Sequence, residues 1–181
     1  MNDSTATPAP TYEDILRLFQ ETDRKFQETD RLIKEQGKQI GGLGEKFGSF
    51  TEGLALPSME RILQQHFAME VVSPSVRVRK GGEHIEIDVL SYANSGINEA
   101  YVVEVKSHPR QEAIEQLERI LSRFRTFFPE HQDKVVYGIL AGVDWVAEVR
   151  QKALTAGFHV ATIHDNLFEL QSPEGFKPKA W

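Results

Sequence analysis

The chain has 181 residues, 40% hydrophobic and 27% charged, with a formal net charge of −6, a composition suited to one soluble globular domain with a real core plus an appendage. The absence of cysteine excludes disulfides and thiolate-bound metals and fits a cytoplasmic protein, and no apolar run approaches the roughly 20 residues of a membrane span. The acidic balance counts against an overall basic nucleic-acid binder, although a polyanion is steered by the local field and not by the total.

Residues 1–10 are rich in Thr, Pro and Ala, lack a signal-peptide pattern and read as a short disordered lead-in. Residues 11–56 form a heptad array. One seam position holds Tyr12, Phe19, Phe26, Ile33, Ile40, Phe47 and Leu54; the other holds Ile15, Thr22, Thr29, Gln36, Leu43 and Phe50. The spacing alternates between four and three, as in a coiled coil. Gln20-Glu21-Thr22-Asp23-Arg24-Lys25-Phe26 is echoed by Gln27-Glu28-Thr29-Asp30-Arg31-Leu32-Ile33. This segment predicts a long N-terminal coiled-coil helix and a homo-oligomer; a single helix folded back on its own domain is the competing reading. Thr22, Thr29 and Gln36 weaken the second seam, and each glycine costs the helix about 1 kcal/mol relative to Ala, so a bend is expected near Gly41-Gly42. Pro57 then ends or kinks the helix.

Residues 57–181 read as one α/β domain. Ser58 is expected to cap a helix from Met59 to Met69. Val71 to Lys80 reads as a strand, Gly81-Gly82 as a tight hairpin turn, and His84 to Leu90 as the second strand. A polar loop leads to a third strand, Glu99 to Lys106. Arg110 to Phe128 has Ile114, Leu117, Leu121 and Phe124 on one helical face. Lys134 to Ala141 is a buried strand, Asp144 is expected to cap a helix to Ala156 that Gly157 closes, and Phe158 to Ile163 and Leu167 to Leu170 make a terminal strand pair. The tail from Ser172 to Trp181 is rich in Pro, Gly and Lys. Three consecutive strands suit antiparallel pairing, and a fourth reached through a helix suits a parallel one. The expected architecture is a mixed sheet flanked by helices.

Two strands carry acids in apolar surroundings: Ile85-Glu86-Ile87-Asp88-Val89-Leu90 and Tyr101-Val102-Val103-Glu104-Val105-Lys106. Charges on the inner faces of paired strands are costly unless something pairs them. Alternation puts His84, Glu86, Asp88 and Leu90 on one face of the second strand, and Val102, Glu104 and Lys106 on one face of the third. Asp88 and Glu104 can then approach each other, and a cation that takes oxygen ligands would relieve their repulsion. Lys106, one pleat from Glu104, is placed to orient an attacking water or to stabilise charge growing on a phosphate.

Asp88 followed by Glu104-Val105-Lys106, on the second and third strands of a core that begins helix-strand-strand-strand-helix-strand, resembles the PD-(D/E)xK nuclease superfamily. The motif's proline is replaced by Ile87. The resemblance implies a restriction-endonuclease-like fold in which Asp88 and Glu104 bind Mg²⁺ (or Mn²⁺) and Lys106 supports phosphodiester hydrolysis in DNA. It further implies a metal-linked glutamate on the helix before the sheet, here Glu60, and a glutamine on the helix after the lysine strand, Gln116 or less well Gln111. From about Phe19 to Trp181 the chain also resembles an uncharacterised bacterial domain-of-unknown-function family that joins such heptads to this domain. The expected function is a metal-dependent nuclease, with a catalytically inactive scaffold recruiting partners through its heptad helix as the alternative. His108 reads as an exposed loop histidine, and His66, His131, His159 and His164 show no metal-ligand spacing.

Overall fold

In a computed structural model of the chain, the described residues are 56–94, 96–164 and 167–181, together with residues 13, 17, 21, 22, 24–29, 31 and 32. The chain divides into two compact units, Met1–Glu45 and Lys46–Trp181. The described residues of the first unit are all α-helical. There the Thr29 hydroxyl donates to the Lys25 carbonyl at 2.8 Å, and Phe26, a seam residue, is 71% exposed. The remainder of the heptad array, including the bend expected at Gly41-Gly42, lies outside the described residues.

The second unit carries a six-stranded sheet in sequential order: β1 (Val71–Lys80), β2 (Glu83–Tyr92), β3 (Glu99–Lys106), β4 (Val135–Gly142), β5 (His159–His164) and β6 (Leu167–Leu170). β1, β2 and β3 pair antiparallel, β4 lies parallel to β3 and β5 parallel to β4, and β6 returns antiparallel. The two parallel steps are the two that pass through helices, α2 (Gln111–Phe127) and α3 (Ala147–Thr155), because a parallel neighbour cannot be reached by a tight turn. An earlier helix, α1, is described over residues 56–61 and ends in a π-helical turn, Ile62–His66. The chain thus forms the expected mixed sheet flanked by helices.

Each face of the sheet has its own core. Ile114, Leu117, Leu121 and Phe124 of α2 pack against Ile85, Ile87, Leu90, Val102, Leu140 and Phe158. Met59 and Leu63 of α1 pack against Val89, Tyr101, Val103, Val105, Ile139 and Ala161. Gly81 and Gly82 take φ of +60° and +83°, the left-handed pair that a two-residue hairpin turn requires. The C-terminal tail docks rather than trails: Lys179 N–H donates to the Gly157 carbonyl at 2.9 Å and Trp181 N–H to that of Val136 at 3.0 Å.

Three local expectations are corrected. Residues 56–61 are helical, so Ser58 is inside α1, not at its cap; its buried hydroxyl has no partner among the described residues. The heptad residues just before Leu56, which bear on the end or kink expected at Pro57, lie outside the described residues. Asp144 does not cap α3, which begins at Ala147 after Val146. The backbone at Val143 and Asp144 is engaged instead with the end of β3, Val143 N–H donating to Lys106 O and Asp144 N–H to Ser107 O, which delays the helical turn.

The third correction concerns the faces of β2. Ile85, Ile87 and Leu90 share the α2 core whereas Val89 belongs to the α1 core, so Leu90 does not share a face with His84 and Glu86 as strict alternation demands. β1 breaks at the same place, with Val72 packed against the α1 core and Val76 and Val78 against the α2 core. The ladder runs Pro74↔Val89 and then Val76↔Ile87, skipping Ser75 and Asp88. Ser75 has φ +51°, a left-handed conformation that rotates the strand and exchanges its faces.

Candidate functional site

Asp88 stands at that break. β2 pairs with β3 only from Val89↔Val103 to Tyr92↔Ala100. Beyond Val89 the β1–β2 hairpin leaves β3, opening a gap on the β2 side of Glu104, Val105 and Lys106. The Asp88 carboxylate enters this gap, where its Oδ2 accepts the Val105 N–H at 2.7 Å. Burial pushes its carboxyl above the usual carboxylate range; the Val105 N–H and the Lys106 ammonium pull it back, and the nearby Glu86 adds to the rise.

Glu104 is on the α2 face of β3 and only 1% exposed. Its Oε1 accepts from Gln116 Nε2 of α2 at 2.7 Å and faces Lys106 Nζ at 2.5 Å. A buried carboxylate needs such partners, since desolvation of an uncompensated charge costs several kcal/mol. The i,i+2 spacing of Glu104 and Lys106 puts both on one pleat face. Lys106 keeps 37% of its side chain exposed, so its ammonium lies at the boundary between the buried acid and solvent.

The structure therefore brings Glu104, Lys106 and Gln116 into direct contact and brings Asp88 to the backbone between Glu104 and Lys106. Gln111, the weaker glutamine candidate, is exposed and points its amide at Glu115, 3.5 Å away. Glu60 is exposed on α1, where it accepts from Gln64 at 3.4 Å. Among the described residues no three acidic or histidine side chains form a ready metal cage, so Asp88, Glu104 and Glu60 are not gathered into a three-acid cluster. His108 is exposed, 3.5 Å from Asp144.

The chemistry of Asp88 and Glu104 suits a hard divalent cation. Two carboxylates come from adjacent strands, one deeply buried and one held against ionisation by its surroundings, and such cations take oxygen ligands and complete their shells with water. A cation beside Asp88 would favour its charged form, which burial alone opposes.

Sequence reasoning missed the Val105 N–H as the group that positions Asp88, because a backbone donor carries no residue-type signal. It also missed Lys134, which is buried and donates to Ala93 O, Asn94 Oδ1 and Asn98 Oδ1 at 2.8–3.0 Å, fastening the loop before β3. A lysine at the start of a buried strand, with two asparagines in a preceding loop, was the available signal.

No protein-family model matches the chain, and no curated protein matches it. Part of the chain aligns with solved structures. One is EndoMS in a complex with dsDNA, at 18% identity over 61% of this chain and 45% of that one, with a TM-score of 0.38. Another is a repair endonuclease from Pyrococcus abyssi, at 15% identity over 61% of this chain and 47% of that one, TM-score 0.41. A third is a protein of unknown function from Silicibacter pomeroyi, at 12% identity over 68% of each chain, TM-score 0.40. The chain spans about half the length of the first two.

Proposed function

We propose that the protein is a metal-dependent nuclease that hydrolyses phosphodiester bonds in DNA. The observation that carries this reading is Glu104, a buried carboxylate held by Lys106 and Gln116 one residue from the backbone group that holds Asp88. An apolar side chain in place of such a buried ion pair is often neutral or stabilising, so retaining the charges favours a functional role over a structural one. The resemblance of Asp88 and Glu104-Val105-Lys106 to the PD-(D/E)xK motif points to DNA as substrate.

In this reading Asp88 and Glu104 would hold Mg²⁺ or Mn²⁺, and the ion would supply charge neutralisation and a water of lowered pKa. Lys106, anchored by Glu104, directs its ammonium to the phosphate oxygen where negative charge grows. Gln116 keeps the Glu104 carboxylate in one orientation, and burial by the α2 core strengthens each interaction. Water adds to phosphorus and one P–O ester bond breaks, leaving a phosphomonoester on one product and a hydroxyl on the other. Glu60, exposed on α1, would be a further carboxylate for such an ion. The exposed seam residue Phe26 fits a homo-oligomer formed through residues 11–56, which would bring two such sites to one duplex.

The test is incubation with plasmid and single-stranded DNA in Mg²⁺ or Mn²⁺, alongside Asp88→Ala and Lys106→Ala. The expected outcome is cleavage by the natural protein and a loss of at least about 100-fold in each variant. Cleavage that survives both substitutions, or none by the natural protein, rejects the reading in favour of an inactive scaffold.

A further inference from the structure

The distal half of the β1–β2 hairpin is an arm with two unlike faces. Val76, Val78, Ile85 and Ile87 face the α2 core. Between them in sequence, Arg77, Arg79, His84 and Glu86 are all exposed, and the register sets Arg77 opposite Glu86 and Arg79 opposite His84. These four residues line a recess on the arm. The arm is clamped at its tip. Lys80 Nζ donates to the Thr126 carbonyl at 2.8 Å, and Arg123 of α2 pairs with Glu83 at 2.6 Å. Its outer face is thus held in place before any ligand arrives, so little ordering entropy remains to oppose binding.

The charges on this face are not balanced. Glu86 answers Arg77 at 2.7 Å. Arg79 takes part in neither of the arm's ion pairs, which join Arg77 to Glu86 and Arg123 to Glu83, and the neighbour opposite it is a histidine. A planar guanidinium beside an imidazole, raised on a rigid ribbon, suits a phosphate oxygen. His84 lies four positions before Asp88 along β2, about 13 Å at the rise of a β-strand.

We infer that the outer face of the β1–β2 arm, through Arg79 with His84, binds the phosphodiester backbone of DNA. The inference rests on the nuclease reading and adds a substrate-holding position to it. Arg79 and His84 fix the register of the strand without reading its sequence, since phosphate contacts position a protein on DNA and carry no base information. Glu86 acts as an internal competitor for Arg77.

The test measures equilibrium binding of a fluorescently labelled DNA duplex to the full chain by anisotropy across a salt series, using the natural protein, Arg79→Ala, Glu86→Gln and Asp88→Ala. Arg79→Ala is expected to weaken binding about three- to tenfold and to lower the slope of log affinity against log salt by about one. Glu86→Gln is expected to tighten binding several-fold by releasing Arg77, and Asp88→Ala to abolish cleavage while leaving the salt slope unchanged. Binding by the natural protein that neither Arg79→Ala nor Glu86→Gln alters overturns the arm inference and leaves the nuclease reading standing. Absence of binding by the natural protein overturns both.

Discussion

Glu104 and Asp88 are both acids in poor solvent, yet their surroundings treat them differently. Glu104 has an ammonium and an amide on the same oxygen, whereas Asp88 has one backbone N–H and a net push toward its neutral form. A carboxyl raised in the folded state binds its proton more tightly there than in the unfolded chain. Its stabilising contribution is therefore full below the ordinary carboxylate pKa and is lost as pH rises through the folded value. At neutral pH and without divalent cations, Asp88→Asn is expected to raise the melting temperature, by about 2–4 °C for each kcal/mol relieved, and to remove any stabilisation by Mg²⁺ seen in the natural protein. His159 shows the opposite linkage. Buried among Phe67, Tyr101 and Phe176, with Ser172 Oγ 3.1 Å from its Nδ1, it is pushed down to about 4 by burial, with a smaller push from His66. The unfolded chain takes up this proton first, so stability is full above about pH 6.5 and falls as pH drops toward 4, by about 3 kcal/mol in total. Melting temperatures measured between pH 7 and 4 are expected to show this acid limb, flattened in His159→Phe. A limb of equal depth in that variant assigns the loss to other groups.

At the level of elements, the decisive feature is the simultaneous face exchange in β1 and β2. The strands themselves were legible: β1 and β3 match their predicted bounds, because apolar–polar alternation and the Gly81-Gly82 turn are written in residue types. The exchange was not, because it depends on a positive φ at Ser75, a residue that ordinarily occupies extended backbone. This kink is what takes Asp88 out of the ladder and sends its carboxylate between the strands. Ser75→Gly is expected to stabilise the fold by roughly 0.5–1 kcal/mol, since glycine meets no Cβ penalty there. Ser75→Val is expected to destabilise it by at least about 1–2 kcal/mol and to blunt Mg²⁺-dependent stabilisation as Asp88 shifts. Denaturant midpoints for the two variants read both effects; midpoints that coincide reject the kink as a strained point. The helix start at Asp144 was misplaced for a similar reason, as a capping residue type was present but β3 had already claimed its backbone. Gln116 was preferred to Gln111 by motif alone; the helix phase that turns residue 116 toward β3, beside buried Ala113 and Leu117, supplies the physical reason.

At the scale of the whole molecule, the second unit is closed by its own tail. The Trp181 ring stacks against Phe158 at 6.1 Å while Lys179 Nζ lies 3.5 Å above the Trp181 ring, so a segment composed like a linker serves as packing. The first unit raises a different question of assembly. Phe26 belongs to a seven-residue seam and is largely exposed in the single chain, and the homo-oligomer proposed above would cover that seam with a second copy. Deleting residues 1–50 is expected to reduce the mass measured by light scattering to that of a monomer while the remaining chain still melts cooperatively. An unchanged mass rejects the heptad segment as the oligomerisation element.

The order of elements, the three-strand meander, the parallel step through α2 and the identity of the charged strand residues all follow from residue types at short range. Covalent geometry alternates side chains along a strand and repeats them around a helix whatever lies beyond. The depth to which Glu104 is buried, the choice of Gln116 as its partner and the redirection of Asp88 onto the Val105 N–H were settled only in three dimensions. Those features depend on where β2 parts from β3 and which helix covers the opening, and both are fixed by packing among segments far apart in the chain.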